Sequence, residues 1–275
     1  MITPEARANT RLYFTAPSRS GSSLLVAALN CLKDVVIVNE PPDSYKIDQR
    51  PVIDTIFSSI LANLGEGFIM QRLDTHGEDV TDTFPSGSIS WQRKEISFTP
   101  GMVAGIKKSF PSLGNKDYHN LFLDEWKSFA GWFVKERKGK ILAIVRNPLY
   151  TILSWKTTFE PLRSETTKQC SAWNRIASAI LSTKDISYVT RFEDLVEDPL
   201  AEISRIASYL GVGLDKRQEF PAVRKNTNSL DYYLKARGLS VGNVGEDVAV
   251  IVDQCQSVAS KFGYNLSQDA GKMVK

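Results

Sequence analysis

Arg11-Leu12-Tyr13-Phe14-Thr15-Ala16-Pro17-Ser18-Arg19-Ser20-Gly21-Ser22-Ser23-Leu24-Leu25 is the stretch on which the fold turns. Arg11 to Ala16 is a short run rich in β-formers, and Pro17 with the Ser/Gly stretch Ser18 to Ser23 breaks it into a tight loop. From Ser22 the order Ser-Ser-Leu-Leu-Val-Ala-Ala-Leu-Asn-Cys-Leu reads as a helix. Val35-Val36-Ile37-Val38 then forms a wholly apolar run, as a buried parallel strand does. Strand, loop, helix and strand make a βαβ unit. A loop that opens a helix directly after a strand is an anion cradle, because backbone N–H groups and the helix dipole both face it.

Outward from that unit the same alternation continues. Val52, Ile53, Ile56, Phe57, Ile60, Leu61 and Leu64 recur at helical spacing, with Gly65 as the stop. Residues 66–100 are polar and irregular and read as a long excursion. Met102 to Ile106 suggests a strand that ends in Lys107-Lys108, and Leu121 to Glu136 an amphipathic helix. Ile141 to Val145 is the clearest strand; Arg146-Asn147-Pro148 ends it ahead of a helix over Tyr150 to Thr158. Ser187 to Thr190 reads as a further strand, followed by Arg191 to Leu195 and by a helix from Pro199 to Leu210 that Gly211 closes. The pattern predicts an α/β protein of three layers, a central parallel sheet flanked by helices on both faces. No internal repeat or Pro/Ser-rich linker interrupts it, so residues 1–275 are expected to form a single domain. Residues 1–10 and 268–275 are expected to fray, and residues 41–100 and the C-terminal third to face whatever the protein acts on.

Composition narrows the class. The chain has 275 residues, 42% hydrophobic and 24% charged, which suits a globular core and excludes a disordered or fibrous protein. No apolar run reaches the length of roughly 18 residues that a membrane span needs, and Met1 to Thr10 has no apolar segment, so a cytoplasmic protein is expected. Cys31, Cys170 and Cys255 are odd in number and widely spaced, which fits neither a disulfide framework nor a metal knuckle. His76 and His119 are too isolated for a histidine site, so no metal is expected. The formal charge of +3 is mild and its cations are scattered, which does not indicate a nucleic-acid partner.

The loop departs from a nucleoside-triphosphate loop of the Walker A kind: Ala16 stands at the first glycine position and Ser22 where the lysine would be. It offers instead Arg19 and the hydroxyls of Ser20, Ser22 and Ser23 beside Gly21, which suit a phosphate with an adjoining sulfonate. Arg146-Asn147-Pro148-Leu-Tyr-Thr-Ile-Leu-Ser154 resembles the 3′-phosphate motif of the sulfotransferase superfamily, in which an arginine and a later serine hold the donor's 3′-phosphate. Arg19 to Leu25 resembles the same superfamily's 5′-phosphosulfate loop. Arg191-Phe192-Glu193-Asp194-Leu195, with the helix that ends at Tyr209-Leu210-Gly211, is similar to the family's Arg-Tyr-Glu-Asp-Leu segment. The resemblance spans roughly residues 11 to 215.

The resemblance implies a P-loop-like sulfotransferase fold and 3′-phosphoadenosine-5′-phosphosulfate (PAPS) as donor, with a small-molecule acceptor and no metal. Arg19 takes the position at which many members carry lysine. Where the family's histidine base would stand, in Lys107-Lys108-Ser109-Phe110-Pro111, there is Ser109. Glu40, in Val38-Asn39-Glu40-Pro41-Pro42, matches instead the glutamate of bacterial carbohydrate sulfotransferases and is expected to be the base. Lys107 or Lys108 is expected to stabilise the leaving phosphate, one as a buried stem and the other as a solvated head. Arg224-Lys225 falls where a late basic segment meets the 3′-phosphate, and Tyr188 is expected at the adenine. Arg191 and Glu193 are expected to organise the fold. Because strand–helix–strand units are right-handed, Arg19, Glu40, Lys107, Arg146 and Arg191, each just past a predicted strand, should meet on one edge of the sheet.

Two other classes stay open at this point: a P-loop kinase of a small metabolite, and a nucleotide-binding module without catalysis. The acceptor, whether sugar, glycolipid or secondary metabolite, and the choice between monomer and homodimer are not written in the sequence.

Overall fold

The structure, a computed structural model, describes residues 10–39, 49–65, 68–73, 90–95, 102–110, 116–158, 165–214 and 244–273. The elements run β1 (Thr10–Pro17), α1 (Ser22–Leu29), β2 (Val35–Asn39), α2 (Gln49–Gly65), β3 (Phe68–Leu73), β4 (Ser90–Glu95), β5 (Val103–Phe110), α3 (Lys116–Lys135), β6 (Lys140–Val145), α4 (Pro148–Thr158), α5 (Thr166–Ser182), β7 (Tyr188–Arg191), α6 (Phe192–Glu197), α7 (Pro199–Leu210) and α8 (Gly245–Ala259). After a 3-10 turn at Ser260–Phe262, α9 (Leu266–Met273) ends the described chain.

Five strands form one parallel sheet in the order β2-β5-β1-β6-β7. Alternation along each strand splits the core into two layers. On one face Tyr13, Val38, Ile106, Ile141 and Val145 pack under α2, α3, α4, α5 and α8. On the other, Leu12, Phe14, Ile37, Leu142 and Ile144 pack under α1, α6 and α7. This is the three-layer α/β architecture that the strand and helix periods predict. In such open sheets the loops at the carboxyl ends of the strands make the binding crevice, and β1, flanked by β5 and β6, lies at its centre.

β2 is an edge strand, and Asn30 at the end of α1 serves its outward backbone. The Asn30 carboxamide donates to Ile37 O (2.9 Å) and accepts from Ile37 N–H (2.7 Å). Asn30→Ala is expected to cost about 1–3 kcal/mol in denaturant unfolding, since it orphans two backbone groups.

Four features differ from the sequence reading. β5 does not stop at Lys107-Lys108 but continues to Phe110, in register with Pro17 of β1. Both lysines are therefore strand residues on opposite faces, and both are buried, at 3% and 2% exposure, so neither is the solvated head expected. The polar excursion contains an antiparallel pair, β3 with β4. The C-terminal end, expected to fray from residue 268, is helical through Met273, because Leu266 is buried in the core and Ala270 packs against it. α5 and α8, which the spacing analysis did not mark, pack through Cys170, Trp173, Ile176, Ile251, Cys255 and Ala259.

Candidate functional site

The loop after β1 is built around two left-handed residues, Arg19 (φ 67°) and Gly21 (φ 78°). Gly21 is the N-cap of α1, and no side chain caps that helix. The loop serines therefore do not act as conventional caps. Ser20 is fully buried, and the hydroxyls of Ser18 and Ser20 have no hydrogen-bond partner. Buried hydroxyls without partners are costly and uncommon in native proteins. Ser22 is buried at the first turn of α1 and Ser23 is half-buried beside it.

Two segments distant in sequence close onto this loop. Arg19 Nε donates to Ser154 Oγ (3.0 Å) across 135 positions of chain. Arg146, directly past β6 and only 5% exposed, directs a guanidinium N–H at Arg19 O (3.4 Å). Trp155 Nε1 donates to Ser18 O (2.8 Å) and so pins the loop to α4. The Arg146 guanidinium lies over the Phe192 ring at 4.6 Å and over Tyr150 at 5.4 Å, two aromatic faces that orient a planar fork. Burial pushes the Tyr150 hydroxyl up to about 12, against the pull of Arg146.

Phe192 also touches the loop from below. A Cβ at Gly21 would sit 2.1 Å from a Phe192 ring carbon, so the backbone approaches the ring as only glycine can. One aromatic side chain thus supports both the turn after β1 and Arg146.

No protein-family model matches the chain, and no curated protein matches it. Three solved structures it is similar to are sulfotransferases. The sulfotransferase from Alicyclobacillus acidocaldarius is 15% identical, with 89% of this chain and 94% of that one covered at a TM-score of 0.43. The sulfotransferase domain of the Synechococcus PCC 7002 olefin synthase is 15% identical, with 96% and 98% covered at a TM-score of 0.48. A sulfotransferase from Mycobacterium tuberculosis H37Rv is 12% identical, with 88% and 77% covered at a TM-score of 0.39.

Of the residues singled out in the sequence, Arg19, Ser20, Gly21, Ser22, Ser23, Arg146 and Ser154 gather at the carboxyl edge of β1 and β6. Lys107 is in register with Phe14 of β1 and Asn39 of β2, on the α1 face of the sheet, three residues short of the end of β5. Asn39 is buried beside it with its Oδ1 unpartnered. Lys108 points to the opposite face. Glu40, Arg224 and Lys225 lie outside the described residues.

Tyr188 is placed elsewhere. It starts β7, three residues (about 10 Å of strand) before the carboxyl edge. Its hydroxyl donates to Glu202 (3.2 Å), its ring stacks on Tyr209, and burial pushes it up to about 12.

Arg191 pairs through two nitrogens with Asp194 rather than with Glu193, which raises the guanidinium pKa further. Glu193 is a half-buried carboxylate that accepts from Asn147 N–H (3.0 Å) and from the Tyr264 hydroxyl (2.7 Å). Burial raises its pKa, and these donors oppose the rise. Sequence reasoning missed Trp155 and Phe192 as supports, although each adjoins a residue it had marked. Among the described residues no cluster of His, Cys, Asp or Glu could hold a metal, and no helix is long and apolar enough to cross a membrane.

Proposed function

We propose that the protein is a sulfotransferase that moves a sulfuryl group from PAPS to a hydroxyl or amine of a small acceptor, such as a sugar, glycolipid or secondary metabolite. One observation carries this reading: Arg19, Arg146 and Ser154, from segments far apart in the chain, close on a turn whose buried Ser18 and Ser20 hydroxyls have no partner. A cradle with two guanidinium groups and loop N–H donors suits two separate phosphates better than one. The donor residues fit that group: the glycine turn and Ser20, Ser22 and Ser23 would take the 5′-phosphosulfate, and Arg146 with Ser154 the 3′-phosphate. The bound donor supplies an activated sulfuryl on a phosphate leaving group.

The chain's own residues then position and neutralise charge, as in phosphoryl transfer. Arg19 and Lys107 would hold the negative charge that develops on the leaving phosphate. Glu40 follows Asn39, the last residue of β2, directly in the sequence. As the base it would accept the acceptor's proton. Free thiols at Cys31, Cys170 and Cys255 suit a reducing compartment, in keeping with a cytoplasmic enzyme.

The test is transfer from PAPS to a panel of sugars, lipids and phenols with excess chelator present. Sulfated product should form at an undiminished rate, whereas a kinase would need a nucleoside triphosphate and stop without Mg²⁺. Glu40→Gln should retain adenosine 3′,5′-bisphosphate binding and lose turnover by about a hundredfold or more. Unchanged turnover in that variant removes Glu40 from the chemistry.

A further inference from the structure

Arg146 owes its direction to its neighbour. The peptide plane between Arg146 and Asn147 is fixed where Asn147 N–H donates to Glu193 Oε1 (3.0 Å). The Asn147 side chain is held as well: its Nδ2 donates to Asp269 Oδ2 (2.8 Å), and its Oδ1 accepts from Leu149 N–H (3.0 Å) in the first turn of α4. Glu193 in turn is gripped at its other oxygen by the Tyr264 hydroxyl (2.7 Å), across 71 positions of chain. Two of the groups that fix the backbone beside Arg146 therefore come from the last described segment, Tyr264 and Asp269.

That segment is part of the core. Tyr264 is 5% exposed, Leu266 is fully buried, and the Arg191 guanidinium lies 5.7 Å from the Tyr264 ring centre. Gln256, on α8, ties the segment down by donating to Tyr264 O (3.3 Å) and accepting from Leu266 N–H (2.8 Å). Glu193 adjoins Phe192, the ring on which the Arg146 guanidinium rests. A shift at Glu193 is thereby passed to both the backbone and the aromatic shelf of Arg146.

We infer that Tyr264 and Asp269 are positioning residues for Arg146, so that the C-terminal helix sets the affinity of the site for the phosphate that Arg146 binds. The inference rests on the bisphosphate nucleotide reading of the site. Tyr264 donates to a half-buried carboxylate, and without that bond Glu193 keeps one partner fewer. Asn147 then loosens, and the fork of Arg146 loses the fixed geometry on which bidentate phosphate binding depends.

The experiment is calorimetric titration of the full chain with adenosine 3′,5′-bisphosphate and, separately, adenosine 5′-monophosphate, which lacks the phosphate in question. Tyr264→Phe and Asp269→Ala should each weaken the bisphosphate by about tenfold and leave the monophosphate within about twofold. Asp269→Asn, which keeps an acceptor for Asn147, should restore bisphosphate affinity to within about threefold of the native value. Asn30→Ala is the control for loss of stability alone and should leave the ratio of the two affinities unchanged. If Asp269→Ala does not fold, Tyr264→Phe, which loses only a hydroxyl, decides. A native affinity ratio in Tyr264→Phe overturns the positioning role. If the native protein itself does not prefer the bisphosphate to the monophosphate, the nucleotide reading fails before this one is reached.

Discussion

Arg146→Ala is expected to weaken binding of adenosine 3′,5′-bisphosphate by on the order of a thousandfold, about 4 kcal/mol, the largest loss of affinity any single substitution should give. Three features set that size. The guanidinium is nearly buried, so its attraction to a phosphate is weakly screened by solvent. It is held over Phe192 and Tyr150, so little rotamer entropy remains to be lost on binding. It also approaches the Arg19 carbonyl, so that it spans the loop after β1 and the start of α4. Arg146→Lys keeps a charge but loses the planar fork and should recover only part of the loss, remaining about tenfold to a hundredfold weaker than the native protein. Adenosine 5′-monophosphate affinity should change far less in both variants. Titration calorimetry measures all of this, and Arg146→Ala binding the bisphosphate within about threefold of the native protein would take Arg146 out of the site.

The parts of the site that the sequence displayed are those whose signal is local. β1, its serine loop and α1 are contiguous, and Arg146 and Ser154 flank two turns of one helix, so strand and helix periods suffice to bring them to a common edge. Lys107 and Lys108 misled because two cations in a row suggest an exposed end, whereas the strand carries both inward on opposite faces. α5 and α8 had a legible signal in Cys170, Trp173, Ile176 and Ile180 and in Ile251, Cys255 and Ala259, which recur at helical spacing with buried faces. β3 and β4 had less: Trp91-Gln92-Arg93-Lys94 has no clean alternation, and the pairing joins segments far apart in the excursion. Tyr264 and Asp269 had no local signal at all. Their partners, Glu193 and Asn147, are 71 and 122 positions away, and only the packing of the C-terminal helix onto the core reveals the link.

Gly21→Ala should damage stability and binding together, because one contact serves both. An L-residue at φ 78° costs roughly 1–2 kcal/mol from the left-handed backbone alone. The added methyl would also meet two carbons of the Phe192 ring at 2.1 and 2.3 Å, so the ring or the loop must move, at a further cost of about 1–3 kcal/mol. The melting temperature is expected to fall by about 5–15 °C. If the ring moves, the shelf under Arg146 moves with it; if the loop moves, the cradle between Ser18 and Ser23 opens. Either way bisphosphate affinity should drop by about a hundredfold or more. A second substitution separates the two costs. Gly21→Ala with Phe192→Leu removes the ring carbons that clash and should regain part of the lost stability, but not the share due to φ. It should regain no affinity, because leucine gives Arg146 no aromatic face. Recovery of affinity in that double variant would mean that Phe192 only fills space beneath the loop, and that the guanidinium is oriented by Tyr150 and the Arg19 carbonyl alone.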